Sequence, residues 1–363
     1  MRICRGSETA MDADDTAAIR ERVHAAQARG EPLRILGGGS KQFYGREVPG
    51  EPLAVGAHRG ITDYDAAELV LTARAGTPLA EIEAALAANG QCLPFEPPHF
   101  GAAATVGGTI ACGIAGPARA YAGAVKDYVL GVVLMNAAGQ CLRFGGQVMK
   151  NVAGYDVARA TVGSLGSLGV LLECSLKVLP RAPQTTTRLF ELDAGPALQR
   201  MNEWARSPSC ISATAWVSGR LHVRLSGSEA AIASAAERMG GESQHDDAEF
   251  WMSIREHTHG FFRGAEHVLR VAVPALCAPQ RLPGECLMEW GGAQRWFVLR
   301  GETDALATAA HAAGGFATRF RGGERGGAVF PPVPAAQMRL QRSLKAVFDP
   351  RAIFNRGRLH AEL

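Results

Sequence analysis

The chain has 363 residues, 47% apolar and 20% charged, enough to bury a sizeable core and, by length, to form two domains or three. A formal net charge of +3, with no Lys/Arg cluster along any predicted face, excludes a nucleic-acid footprint. Eight scattered cysteines without a C-x-x-C pair exclude iron–sulfur and zinc frameworks, so no metal site is expected.

In chain order, residues 15–29 read as an amphipathic helix stopped by Gly30. A short apolar strand, 33–36, runs straight into GGGSK. A second strand spans 68–73. Thr77 then reads as an N-cap, with Pro78 opening a helix that ends near Asn89-Gly90. Residues 127–135 and 140–144 form a hairpin around the turn 136–139. Asp156 caps a short helix, 157–162, that stops at Gly163. The stretch 170–179 alternates, with Leu172, Cys174, Leu176 and Val178 on one face. Cys141 and Cys174 read as reduced core thiols. Together with the lack of a leader pattern at Met1, they point to the cytoplasm.

Pro180 and Pro183 mark a boundary. Beyond it Trp216, Gly227 and Gly240-Gly241 recur 74 residues later as Trp290, Gly301 and Gly314-Gly315. Each copy reads as a β-hairpin feeding an Ala-rich helix, and further strands are expected near 187–191 and 266–273. The fold class is therefore α+β, with an antiparallel sheet in the second unit. The expected domains are 1–182, 183–335, and a segment 336–363 that returns to the first.

Three glycine-rich stretches carry the chemistry. In LRILGGGSK (33–41) a strand ends in Gly37, Gly38, Gly39 and Ser40, whose bare N–H groups could cradle phosphate oxygens or simply form a turn. It matches neither the dinucleotide fingerprint nor a P-loop. EPPHFGAAATVGGTIACGIAGP (96–117) holds Thr105, Gly107, Gly108, Gly113 and Gly116 and few large side chains. It suits either a long ligand lying along the backbone or a loop threaded through the core. Its lack of acidic and basic residues from 97 to 118 does not make a membrane span, since Gly and Pro interrupt it. FGGQVMKNVAGYDVARATVGSLGSLGV (144–170) leaves Lys150, Asn151 and Tyr155 unexplained by capping, and Gly163, Gly166 and Gly169 follow. His99 is the imidazole nearest these loops, as a catalyst or a structural hydrogen-bonder. His257-Thr258-His259 reads as the solvated or dipole-facing end of a helix rather than half a metal site. No G-x-S-x-G occurs.

The order GGGS, ATVGG with AGP, DYVLGVV, GGQVMKNVAGYD and VGSLGSLGVL resembles the vanillyl-alcohol-oxidase (PCMH-type) FAD-binding family. HRGITDYDAAELVLTARAGTPLAEIEAAL, EPPHFG, LPGE, EWGGAQRW, AAGGFATRF and FDPRAIFNRGRLHAEL extend the likeness. They are similar to the FAD-binding subunits of bacterial glycolate oxidases (glycolate dehydrogenases), over nearly the whole chain. The resemblance implies a two-part PCMH-type domain with a smaller α+β cap, non-covalent FAD, and glycolate, a 2-hydroxy acid, as substrate of the complex. It implies a second flavoprotein subunit and an iron–sulfur subunit as partners, and through them contact with the inner membrane. By the same likeness Gly37, Gly38, Gly39 and Ser40 wrap the pyrophosphate. Thr105, Gly107, Gly108, Gly113 and Gly116 follow the ribityl and flavin side. Asn151, Gly154, Tyr155, Gly163, Gly166 and Val170 hold the isoalloxazine and adenine edges, and Asn355 reaches in from the tail. Related catalytic flavoproteins carry Asn-Pro-Gly where this chain has Asn355-Arg356-Gly357, and Glu where it has Leu165. The substrate base is therefore His99 or a group on the partner flavoprotein. The alternatives are a subunit that only relays electrons and a stand-alone dehydrogenase.

Overall fold

The structure, a computed structural model, describes residues 12–146, 156–206, 210–244, 247–301 and 303–363. Helix α1 (Thr16–Arg29) turns Ile19, Val23 and Ala26 inward and stops at Gly30, which takes the left-handed conformation (φ 69°). Strand β1 (Leu33–Leu36) pairs in parallel with β2 (Glu51–Ala54). After them come β3 (Ile61–Asp65), β4 (Val70–Arg74), α2 (Leu79–Ala87), β5 (Gln91–Cys92) and α3 (Val106–Cys112). Two single turns, α4 (Arg119–Ala122) and α5 (Val125–Tyr128), lead into the hairpin β6 (Val129–Met135) and β7 (Cys141–Gly145). Helix α6 (Val157–Thr161), capped by the Asp156 carboxylate on the Arg159 N–H at 3.1 Å, precedes β8 (Val170–Lys177) and β9 (Leu179–Pro180).

Strands β3, β4, β8, β6 and β7 lie in that order in an antiparallel sheet, with α2 and α3 packed on it through Leu71, Ile82, Leu86, Ile110, Val132 and Leu176. Three local expectations change. Thr77 is not the cap of α2; its hydroxyl donates to the Arg74 carbonyl at 2.6 Å and accepts from the Gly60 N–H at 2.9 Å, so it ties two strand ends together. β8 keeps its alternation only in part: Glu173 and Lys177 are half-buried, but Ser175 is buried and pairs its hydroxyl with that of Thr72 on β4 at 2.9 Å. Cys141 is exposed on the edge strand β7, whereas Cys174 is in the core.

The second unit consists of β10 (Gln184–Glu191), α7 (Ala194–Trp204), β11 (Ile211–Val217), β12 (Arg220–Gly227), α8 (Glu229–Met239) and β13 (Glu242–Ser243). Helix α9 (Asp247–Arg255) then leads to β14 (His267–Ala272), β15 (Cys286–Glu289), β16 (Gln294–Leu299), α10 (Asp304–Ala312) and β17 (Phe316–Arg321). All eight strands form one antiparallel sheet in the order β13-β10-β12-β11-β15-β16-β14-β17. Each half therefore places its first strand between its fourth and third, with its second strand at the centre. The repeat is larger than a hairpin and helix: it is a four-stranded unit used twice and joined back to back at Ala215↔Glu289 and Trp216↔Met288. In the second copy the place of α7 is taken by irregular chain with a turn closed by the Cys277 N–H on Pro274 O and the short 3-10 turn Pro279–Arg281.

Helix α11 (Ala335–Phe348) brings the tail back to the first unit. The Leu33 N–H donates to Ile353 O at 2.7 Å and the Asn355 N–H to Leu33 O at 2.9 Å, so the tail runs beside β1. Lys345, 5% exposed, donates to Ser167 O (2.7 Å), Asp349 Oδ2 (3.0 Å) and Phe354 O (3.1 Å). Among the described residues no helix is long and apolar enough to cross a membrane.

Candidate functional site

The turn after β1, one side of α3, the 163–169 turn and the tail meet around one cleft. It encloses about 800 Å³ of protein-free space, its open mouth included. Its walls include Gly37, Gly38, Gly39 and Ser40 from the first turn and Thr105, Gly107, Gly108 and Cys112 from α3. Leu165, Gly166, Asn355 and Arg358 complete them. The glycines serve the approach of one loop to another as much as open space. A Cβ on Gly38 would fall inside the Ala103 carbonyl, and one on Gly107 would stand 2.6 Å from the Ala75 Cβ. Thr105 accepts the Gly108 N–H on its hydroxyl at 3.2 Å, fixing the start of α3.

Asn355, 5% exposed, braces the cleft. Its amide oxygen accepts the Ile35 N–H at 2.9 Å and its amide nitrogen donates to Leu165 O at 2.6 Å. One side chain thus joins β1, the 165–166 turn and the tail. Gly113, Gly116, Gly163 and Val170 lie beside the cleft rather than in its wall. Gly113 and Gly163 abut each other behind α3, Gly116 meets the second unit where its carbonyl accepts the Trp290 indole N–H at 3.1 Å, and Val170 is core. Asn151, Gly154 and Tyr155, with Lys150, lie outside the described residues.

His99 turns its ring away from the cleft. Nε2 stands 3.0 Å from Glu83 on α2, while the 99–100 backbone is held by Glu256, whose carboxylate accepts the His99 and Phe100 N–H groups at 2.8–3.2 Å. His257 is not solvated. It is stacked on Phe262 (ring centroids 4.0 Å apart) beside Trp296, Phe320 and Phe100, and burial pushes its pKa well down. This aromatic cluster, with Phe43 and Tyr44, joins the two units next to the cleft, as does the 2.7 Å Glu96–Arg224 ion pair.

Two cleft-lining cations escaped the sequence reading. Lys41 is 7% exposed and donates to His99 O at 3.2 Å; burial lowers its pKa. Arg358 donates to Gln42 O (3.0 Å) and Tyr44 O (2.7 Å), and burial with neighbouring Arg325 lowers its pKa to about 10. Neither has a carboxylate within 4.0 Å among the described residues. The only local signal was Lys41 itself, which follows the glycines directly. Uncompensated buried positive charge is costly and suits an anionic ligand. A glycine-walled cleft with two such cations fits a flavin dinucleotide, whose pyrophosphate is anionic.

Residues 10–145 match the family model described as an FAD binding domain. The fold is that of alkyldihydroxyacetonephosphate synthase: TM-score 0.66 over 93% of this chain and 73% of that one, at 15% identity. D-lactate dehydrogenase of Archaeoglobus fulgidus is 33% identical over 44% of this chain and 36% of its own. Glycolate oxidase subunit GlcD of Bacillus subtilis (strain 168) is also 33% identical, over 36% of this chain and 28% of its own. Glycolate oxidase subunit GlcE of Escherichia coli (strain K12) is 45% identical over 352 residues, 97% of this chain and 99% of that one. Identity at that level along the full length of both, cap repeat and tail included, makes the chain a member of the GlcE family of FAD-binding oxidoreductase subunits.

Proposed function

We propose that this chain is the FAD-binding subunit of a glycolate oxidase complex that converts glycolate to glyoxylate. The carrying observation is the 45% identity to the Escherichia coli subunit over 97% of the chain. Its partners are a GlcD-type flavoprotein and an iron–sulfur subunit. The iron–sulfur subunit is what the family resemblance implies, and it agrees with the absence of a C-x-x-C pair in this sequence. The complex works in the cytoplasm, at the inner-membrane face when its partners dock there. The domains are 1–182, 183–335 as cap, and 336–363 returning.

FAD, held without a covalent bond, would supply two-electron acceptance and release when bound. Gly37, Gly38, Gly39 and Ser40 offer main-chain N–H groups to the pyrophosphate. Thr105, Gly107 and Gly108 set the path of the ribityl chain, with Gly113 and Gly116 behind that wall. Gly166 and Asn355 shape the wall opposite, with Gly163 and Val170 supporting it from behind; Asn151, Gly154 and Tyr155, assigned to the flavin by the family resemblance, lie outside the described residues. Lys41 and Arg358 balance the negative charge.

One observation favours a relay role for this subunit. Among the described residues no imidazole or carboxylate lines the cleft, and the His99 ring is engaged by Glu83. Proton abstraction from a 2-hydroxy acid needs a base within hydrogen-bond reach, so that step belongs to the partner flavoprotein. Anaerobic glycolate added to the purified chain tests this. Flavin that stays oxidised alone and bleaches once the partner is present supports the relay; bleaching of the isolated chain overturns it.

A further inference from the structure

The cap grips the first unit at the loop 96–101, and the grip falls on strained main chain. Glu96 and Phe100 both take positive φ (44° and 51°), a region that side chains of their size avoid. Each is held there by the second unit. Arg224 on β12 donates to Glu96 Oε1 at 2.7 Å, while Glu96 Oε2 accepts the Ala118 N–H at 3.1 Å. Two consecutive residues just past α9 hold Phe100 by main chain and by ring. The Glu256 carboxylate accepts the Phe100 N–H at 2.8 Å and the His99 N–H at 3.1 Å, and the His257 ring meets the Phe100 ring edge-on at 5.2 Å. Arg255 Nε fixes that carboxylate at 2.8 Å. Strained main chain held by a neighbouring unit points to a segment whose shape serves a site.

The site is the cleft, which the same loop seats. His99 O accepts from Lys41 Nζ at 3.2 Å, a Cβ on Gly101 would stand 3.7 Å from Ser40 Cβ, and the Ala103 carbonyl fills the space a Cβ on Gly38 would need. The Thr105–Cys112 wall follows directly. Beyond it the cap grips the segment again: the Trp290 indole N–H donates to Gly116 O at 3.1 Å, the Arg119 guanidinium lies 4.5 Å over the Trp290 ring, and the Tyr121 and Thr214 hydroxyls pair at 3.1 Å. A Cβ on Gly116 would lie 2.3 Å from Glu96 O, so the two gripped ends also touch each other. Resting on the FAD reading above, we propose that Glu256 is a positioning residue for the cofactor. From the cap it fixes the 99–101 turn against Gly38–Ser40, so the cleft takes FAD tightly only while the cap is docked. The coupling is reciprocal: FAD that needs the docked cap tightens the cap in turn.

FAD affinity of the full chain, read by flavin fluorescence quenching, tests this in wild type, Glu256→Ala, Glu256→Gln and Leu306→Ala. Glu256 is not itself part of the cleft wall. Glu256→Ala leaves the His99 and Phe100 N–H groups without an acceptor and should weaken FAD binding about tenfold. Glu256→Gln keeps an amide oxygen for them and should stay within threefold of wild type. Leu306 packs with Leu269 and Val271 in a separate core of the cap, so Leu306→Ala loosens the cap without touching the loop and should also stay within threefold. Glu256→Ala within threefold of wild type overturns the proposal. So does Glu256→Gln or Leu306→Ala weakening FAD as much as Glu256→Ala, since charge or general cap stability would then be at work. If Glu256→Ala does not fold, hydrogen exchange in the wild type decides at the Gly291 N–H, which donates to Thr214 Oγ1 at 3.0 Å within the cap and outside the cleft wall. Protection gained with FAD supports the proposal, and unchanged exchange overturns it. A wild-type chain that binds no FAD would instead overturn the reading of the cleft itself.

Discussion

Replacing Asn355 with Ala removes the one side chain that spans three segments of the cleft wall. Two groups lose their partners, the Ile35 N–H at 2.9 Å and the Leu165 carbonyl at 2.6 Å, at a site 5% exposed. A buried polar group left unpaired costs about 1–3 kcal/mol. Asn355 also sits at φ 41°, where Ala is disfavoured relative to Asn by about 1 kcal/mol. The sum is about 3–7 kcal/mol, from the loss of one short side chain. Urea unfolding followed by intrinsic fluorescence reads it. Gln199→Ala is the control, since that amide reaches Glu203 on an exposed helix face and should shift stability by less than about 0.5 kcal/mol. FAD affinity, measured by flavin fluorescence quenching, should fall together with stability, because the walls carrying Gly37 and Gly166 are no longer joined. A loss below about 1 kcal/mol with unchanged FAD affinity would refute the bracing role.

Gly38→Ala should abolish FAD binding while leaving a folded chain by circular dichroism, because the added Cβ has nowhere to go but the Ala103 carbonyl. Lys345→Met leaves the Asp349 carboxylate, 1% exposed, without its ammonium; a loss of about 3–5 kcal/mol in urea unfolding is expected, mostly recovered in a Lys345→Met/Asp349→Asn double variant. Glu289, buried in the cap sheet beneath the Trp296 indole N–H (2.5 Å), has its pKa raised by burial to about 7. Its protonated form belongs to the folded state, so its contribution is full below about pH 4.3 and lost as pH rises to 7, roughly 3 kcal/mol in all. Urea titrations across that range should show the slope in wild type and a flatter profile in Glu289→Gln.

What was legible in the sequence was local. The left-handed stop at Gly30, the hairpin around 136–139, the cap at Asp156 and the strand ending in glycines each depend on neighbours a few residues away. The 74-residue repeat was visible through its tryptophans and glycines. Its true unit was not, because β13 is two residues long and β14 is offset relative to the rest of the copy. His257 looked polar and terminal, yet its surroundings come from Phe100, Trp296 and Phe320, elements remote in sequence. Asn355 showed only as a tail motif, since its partners lie 320 and 190 positions away. Lys41 showed only by its place just after Gly37–Ser40, and Arg358 by no pattern; their meaning comes from burial without a carboxylate.

The central claim is that separate glycine-lined turns hold one flavin dinucleotide. Hydrogen exchange at the amides of Gly37–Ser40, Thr105–Gly108 and Gly163–Gly166, with and without FAD, tests it most directly. The account predicts that all three segments gain protection at the same FAD concentration, with one FAD per chain. Protection confined to a single segment, or none, would contradict it.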